Sequence, residues 1–252
     1  MENLEEIVEY LNDTLEVRCF YDDYANNGLQ VEGAERVKKI VFAVDASLEL
    51  FNRSVEAGAD MIVVHHGISW GNGFKYITGR IYRQLSVLIK NDISLYAVHL
   101  PLDADRSLGH NYMIAEMIGL ENSYNFAEFA DIDIGYAGVV DEVDIKELAE
   151  NVAEKLDSSY KIYGPGGKVS KVGIISGGAG EKGILAAVNE GLDCLITGEF
   201  GHTSWHLVKE LGISVIACGH YKTEIPGIKA LQEALDTFFD IETEFIDIPT
   251  GL

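Results

Sequence analysis

Residues 38–67 read KKIVFAVDASLELFNRSVEAGADMIVVHHG. The two flanking runs are rich in Val, Ile and Ala, and the stretch between them repeats its apolar residues at helical spacing. Leu48, Phe51 and Val55 fall on one face of that helix, and Gly58 is placed to end it before the next strand. Strand, helix and strand in this order form the pattern of a βαβ unit in a parallel sheet. The second strand stops on His65-His66-Gly67, so the stretch that sets the fold also delivers two imidazoles to a strand end.

Downstream, IYRQLSVLIKND (81–92) reads as a helix with Ile81, Leu85 and Leu88 on one face, and ISLYAVHLPLD (93–103) as a third strand running into a loop. The second half repeats the series as SKVGIISGGA (170–179), a helical GILAAVNEGLD (183–193), CLITGEF (194–200), a helical TSWHLVKELG (203–212) and ISVIACGHYKTE (213–224). VEAGADMIVVHH (55–66) and VNEGLDCLITGE (188–199) agree in element order and turn chemistry, with Gly191 in the place of Gly58. ISLYAVHLPLD and ISVIACGHYKTE agree with one extra residue before His220. Any two βα units share V/I/L-rich strands and Gly/Asp turns. Chemically capable residues at equivalent strand ends argue further, for a duplication. The expected fold is therefore α/β, with two similar, pseudo-duplicated lobes (residues 1–126 and 127–252), mostly parallel sheets, and a metal site in the cleft between them.

Helices also flank the repeated cores. The N-terminal segment aligns Leu4, Ile7, Val8 and Leu11, and DIKELAENVAEKL (144–156) aligns Ile145, Leu148, Val152 and Leu156 behind Asp144 as N-cap. GISWGNGFKYITGR (67–80) is Gly-rich and aromatic, which suits a loop over a strand-end site. YNFAEFADIDIGYAGVVDEV (124–143) alternates polar and apolar residues as exposed or edge strands do.

Composition narrows the classes. With 47% hydrophobic residues and four prolines, the 252-residue chain can bury a substantial core. Its 41 acidic residues against 19 basic ones give a net charge of −22, which repels polyanions and counts against nucleic acid without excluding it. No apolar run approaches the ~20 residues of a membrane span, and the acidic N-terminus is unlike a secretory signal. Cys19, Cys194 and Cys218 form no pairing pattern, so buried thiols in a reducing, cytoplasmic setting are expected.

Taken singly, a histidine is more often a surface or hydrogen-bonded residue, and a carboxylate after a strand is often a helix cap. The combination is more specific. His65 and His66 end one strand, and His99-x-x-x-Asp103 and His220-x-x-x-Glu224 follow two others. His65, His66, Asp103, His220 and Glu224 are too many for a three-ligand zinc site and suit two ions about 3.5–4 Å apart. Mixed N/O ligation fits Zn, Fe, Mn or Co. His99 is placed as a proton shuttle or an orienting residue, and Glu199 and His206 are placed toward the same cleft, His206 equally as a structural residue. His110 and His202 read as ordinary. SGGAGEKG (176–183) lacks the P-loop pattern and reads as a plain βα turn.

These residues resemble a known family. HHG (65–67), HLPLD ending at Asp103, GHYKTE (219–224), NNGLQVEG (26–33) and TGEF (197–200) are similar to the NIF-three-like family, also called GTP cyclohydrolase I type 2-like, over essentially the whole chain. Its short form, without an inserted domain, is the better match in length. The resemblance implies a two-lobed α/β fold and a dinuclear site on the same five residues. It also implies a homohexameric ring, a trimer of dimers with the metal sites facing an internal cavity. The implied activity is metal-dependent hydrolysis of a nucleotide, with opening of the guanine imidazole ring of GTP and loss of formate. Two other readings stay open: a ring-shaped nucleic-acid-binding or regulatory scaffold with a structural metal centre, and a phosphoesterase.

Overall fold

A computed structural model describes residues 1–129 and 131–252; Ala130, within the alternating segment 124–143, lies outside the described residues. The first half runs β1 (Glu2–Asn3), α1 (Leu4–Thr14), β2 (Gly28–Val31), β3 (Arg36–Val37), β4 (Lys39–Asp45), α2 (Leu48–Glu56), β5 (Met61–His66), α3 (Gly79–Lys90) and β6 (Ser94–Ala97). It continues through α4 (Leu100–Ala104), α5 (His110–Ile118), β7 (Glu121–Phe129) and β8 (Ile132–Asp144). The second half runs α6 (Ile145–Leu156), β9 (Lys161–Tyr163), β10 (Lys168–Ile175), α7 (Gly180–Asn189), β11 (Cys194–Thr197), α8 (Ser204–Leu211) and β12 (Ser214–Ala217). It closes with α9 (His220–Thr223), α10 (Ile225–Phe238) and β13 (Glu242–Phe245).

The fold is mixed α/β. A small antiparallel pair, β1-β3, accompanies two larger sheets, one of order β13-β4-β5-β6-β2 and one of order β7-β8-β10-β11-β12-β9. In each of the larger sheets, the three strands of the repeated core lie side by side and parallel, β4-β5-β6 and β10-β11-β12. An antiparallel strand that precedes each core in the chain then pairs with its third member, β2 with β6 and β9 with β12. The second sheet gains a further antiparallel pair, β7 and β8, with β8 also antiparallel to β10. The alternating segment thus supplies one edge strand and its inner neighbour.

The repeat extends to hydrogen bonds. Asp60 Oδ2 accepts from the amides of Lys38 (2.7 Å) and Lys39 (3.1 Å), and Asp193 Oδ2 from those of Ser170 and Lys171 (both 2.9 Å). Ser94 Oγ accepts from Gly33 N (2.9 Å), and Ser214 Oγ from Gly166 N (3.1 Å). Two sequences that share these off-pattern side-chain staples share more than generic βα chemistry.

Two compact units result: Met1–Leu102 with Ile228–Ile248, and Asp103–Gly227 with Pro249–Leu252. The expected division at residue 126 is not where the units part, since Phe126 lies inside β7 and pairs with Gly135 of β8. Each half instead gives its last elements to the other half's sheet. β13 pairs parallel with β4, and Lys39 fixes it by ion pairs to Glu242 and Glu244 at 2.8 Å each. The first unit packs Val41, Ala43, Phe51, Ile62, Val64 and Leu95 in one core. In the second, Val172, Ile174, Cys194, Ile196 and Ile216 face one layer, while Ile175, Leu195 and Val215 face the opposite one. This is the period-two alternation of a sheet covered on both sides.

Local signals place the helices. Asn3, Ser47 and Asp144 cap α1, α2 and α6 with side-chain acceptors, and Gly58 and Gly191 take φ of +73° and +69° just beyond α2 and α7. The segments after β6 and β12, expected as loops, are instead the short helices α4 and α9. Pro101 does not oppose α4, because a proline in a first helical turn sacrifices no intrahelical bond. Among the described residues no helix is long and apolar enough to cross a membrane.

Asp193 yields a pH test. Burial opposes its ionisation, but the amides of Lys171 and Ser170 and the Ser170 hydroxyl outweigh this and hold its carboxyl below the ordinary range. A carboxyl lowered on folding stabilises above its unfolded pKa, about 3.9, and loses that contribution as pH falls through the folded value. In urea unfolding, the stability gap between wild type and Asp193→Asn is expected to be constant from pH 7 to 5 and to shrink toward pH 3. A gap that widens on acidification would contradict this assignment.

Candidate metal centre

Three of the expected histidines converge in the first unit. His65 and His66 end β5 and His99 follows β6, and the three offer ring nitrogens within 4.8 Å of one another. Their ring centroids lie 4.5, 5.1 and 5.6 Å apart. Adjacent strand residues ordinarily point to opposite faces. Here β5 stops at His66, and Gly67 follows with the Gln30 side-chain amide packed where a Cβ would project.

Each ring has its Nδ1 anchored. His65 Nδ1 lies 2.8 Å from the Val98 carbonyl, His66 Nδ1 2.8 Å from Asp45 Oδ1, and His99 Nδ1 3.1 Å from Asp23 Oδ1. These partners only accept, so in the neutral ring Nδ1 carries the proton and Nε2 the lone pair. Histidine ligands of metals are ordinarily oriented by such an oxygen acceptor on the other nitrogen.

Asp23 is itself held. Its side chain is 1% exposed and takes the amides of Ala25 (3.0 Å) and Leu100 (3.1 Å) and the Asn27 side chain (2.8 Å). Burial alone would raise its carboxyl, but His99, Asn27 and the Ala25 amide outweigh burial and keep it below the usual range. Asn27 Oδ1 also accepts from the His99 amide at 2.7 Å. Gln30 clamps the loop after His66, accepting from Ile68 N (2.8 Å) and Ser69 N (3.1 Å) and donating to Asn26 O (2.7 Å).

In the second unit, α9 makes His220-x-x-x-Glu224 one helical turn, which brings the pair onto one face. His220 Nε2 lies 3.1 Å from Glu224 Oε1, and Nδ1 lies 3.5 Å from Glu199 Oε2. Glu224 pushes the imidazole up to about 9, with burial opposing and Glu199 adding. An ion taken up at His220 has to displace that proton.

Gly177 makes room for this pair. It has a φ of +59°, and a Cβ there would collide with Glu224 Oε1 and sit 3.0 Å from His220 Nε2. Counted in register from Ile40 opposite Met61 and from Val172 opposite Cys194, Gly177 is the counterpart of Asp45, and Glu199 of His66. Asp103 is 8% exposed and positioned by side chains of its own unit. Ser176 Oγ donates to its Oδ1 at 3.0 Å, and Asn111 donates to its carbonyl (3.1 Å) while accepting from Ser176 N (2.7 Å).

In the first unit three imidazoles with oriented rings, and in the second His220 with the buried Glu224, each offer donors of the kind that fits divalent N/O-liganded ions. His206 and His202 are exposed and join no such group among the described residues. His110 is fully buried and does join one: it has a ring nitrogen within 4.8 Å of an Asp103 carboxylate oxygen. Its Nδ1 accepts from Gly227 N at 3.1 Å, which places the neutral ring's proton on Nε2. Asp23, Asp45 and His110 carry no motif of their own in the sequence. The available signals were the strand-end position of Asp45 and the placement of Asp23 just before NNGLQ.

The chain is similar to known proteins over nearly its whole length. The family model described as Duf34/NIF3 (NGG1p interacting factor 3) matches residues 2–251. A curated relative from Archaeoglobus fulgidus, named GTP cyclohydrolase 1 type 2 homolog, is 43% identical over 253 residues, covering 99% of this chain and 100% of the relative. A solved structure described as protein ybgI, of unknown function, is 36% identical, with a TM-score of 0.91 and full coverage of both chains. Reduced HcgD from Methanocaldococcus jannaschii is 27% identical, with a TM-score of 0.86 over 98% of each chain.

Gly177→Ala tests whether the space beside Glu224 and His220 serves an ion. It is expected to weaken divalent metal binding by about 10–100-fold, as loss of ligand positioning does, with the far-UV circular dichroism unchanged. Metal titration with an unchanged affinity would contradict the role.

Proposed function

This chain belongs to the Duf34/NIF3 family, and on that footing we propose that it is a metal-dependent hydrolase acting on a nucleotide or related small molecule. In this reading two divalent ions are held by His65, His66, Asp103, His220 and Glu224. The observation that carries it is the three-histidine cluster, with ring nitrogens within 4.8 Å of one another, in which every Nδ1 is anchored on an oxygen. A histidine cluster kept only for packing would not need a buried carboxylate devoted to one ring and a strand-end carboxylate to another. The names borne by relatives at up to 43% identity support a GTP-like substrate.

Bound divalent ions would supply Lewis acidity, polarising the carbon under attack and acidifying the attacking water. The chain's own residues do the rest. Asp45 orients His66 and Ser176 orients Asp103. Asp23 and Asn27 fix His99, whose Nε2 is the proton acceptor and donor of the reading. Glu199, beside His220, tunes that ligand and is a candidate proton carrier. A homohexameric ring and a cytoplasmic location belong to the same proposal. The location is supported by three free cysteines, two of them buried.

The test is metal quantification followed by an assay of formate release and phosphate release over nucleotides and phosphoesters. Wild type is expected to hold two ions per chain and to turn over a nucleotide, and Asp103→Ala to lose turnover by 100-fold or more, on the order expected for a broken metal site. Turnover that survives complete metal removal, or a fully loaded wild type with no activity across the screen, would overturn the hydrolase reading.

A further inference from the structure

Beside the histidine cluster stand two aromatic rings that the reading above does not use. Trp70 packs edge-on against His99, with centroids 5.3 Å apart, and lies 6.1 Å from His66. Its indole N–H is committed to the Gly67 carbonyl at 3.0 Å, so the ring is fixed by its edge and offers its face. Tyr24 lies 6.4 Å from Trp70 at an interplanar angle of 32° and is 72% exposed.

Tyr24 is not a loosely hung surface residue. Its neighbour Asp23 is the buried partner of His99, and its other neighbour Ala25 pairs with Trp70 in a β-bridge. Its carbonyl accepts from Gly71 N at 2.7 Å. Gly71 has a φ of +52°, and a Cβ there would lie 2.7 Å from Tyr24 Cε2. A glycine thus gives the tyrosine ring its place while the phenol remains in water. A ring held in place before a ligand arrives costs little further ordering when the ligand binds.

The stretch of chain that carries Trp70 also has an unusual charge pattern. From Met61 to Asn91 the chain contains no Asp or Glu, although 41 of its 252 residues are acidic. The same stretch exposes Lys75, Arg80, Arg83 and Lys90. On a protein of net charge −22, this is a segment that does not repel an anion.

We propose that Tyr24 and Trp70 form an aromatic wall beside the His66–His99 pair that takes a planar, phosphorylated heteroaromatic ligand of the nucleotide class by stacking on its ring. Stacking on an aromatic face is tolerant of which base is presented, so the wall selects for a ring rather than for one base. The acid-free stretch that carries Trp70 does not repel the ligand's phosphate. The proposal rests on the nucleotide reading given above, but its test reads binding and requires no turnover.

The chain has two tryptophans, so Trp205→Phe leaves Trp70 as the sole indole reporter. Metal-loaded Trp205→Phe is titrated with guanosine 5′-monophosphate, guanosine and ribose 5-phosphate while tryptophan emission is followed. The monophosphate is expected to quench Trp70 and to bind more tightly than guanosine, and ribose 5-phosphate is expected to leave the emission unchanged. Adding Tyr24→Ala is expected to weaken monophosphate binding by about tenfold or more with metal content unchanged. Equal binding of ribose 5-phosphate, equal binding of guanosine, or full affinity in the Tyr24→Ala variant would each overturn the proposal. Protein that binds the monophosphate at Trp70 but hydrolyses nothing removes the hydrolase reading alone. Protein that hydrolyses a nucleotide with no response from Trp70 removes the aromatic wall alone.

Discussion

The site depends on the parallel register of β4, β5 and β6. Asp45 stands opposite His66, and Val98 N donates to the Val64 carbonyl at 2.9 Å while the Val98 carbonyl accepts from His65 Nδ1. Both ring anchors are therefore consequences of where neighbouring strands stop. A one-residue slip of β5 would turn its apolar set to the wrong faces and carry His66 away from Asp45. The staples from Asp60 to the start of β4 and from Ser94 to Gly33 tie that register to the turns at the other end of the strands. Fold and chemistry thus share one constraint, which is why the imidazoles are preorganised rather than gathered by flexible loops.

Duplication supplies the second principle, and its asymmetries carry the chemistry. His99 and His220 occupy equivalent places after β6 and β12, and Asp103 and Glu224 each follow by one helical turn. Elsewhere the copies diverge. Asp45 in the first is Gly177 in the second, and His66 in the first is Glu199 in the second. Where the first copy devotes a carboxylate to orienting an imidazole, the second removes a side chain and gives the space to Glu224 and His220. The exchange of terminal elements, with β13 added to the first sheet and β7–β8 to the second, makes the duplicated halves interdependent for their own sheets.

Much of this was legible in the chain. The βαβ pattern of 38–67, the helical stripes, the glycine stops and the strand-end histidines are short-range signals, and they place the elements correctly. Long-range choices were not legible. Nothing local in ETEF (242–245) says that it crosses to β4, so the boundary expected at 126 missed the exchange of elements. The helical turns α4 and α9 were hidden because HLPLD and HYKTE are too short for periodicity to declare itself. Asp23, Asp45 and His110 were missed for a related reason: a residue that orients another acts through tertiary contact. The sequence around it shows only an ordinary aspartate or histidine. NNGLQ carried the resemblance without a reason, which the structure supplies. Asn27 fixes His99, and Gln30 clamps the loop that follows His66.

The central claim of the proposed function is that the chain holds a pair of divalent ions on nitrogen and oxygen ligands. Metal-edge X-ray absorption on the fully loaded protein tests it most directly. The expected result is a first shell of nitrogen and oxygen at about 2.0–2.2 Å and a metal–metal scatterer at about 3.5–4 Å. A single isolated ion at full loading, or a first shell containing sulfur at about 2.3 Å, would contradict it.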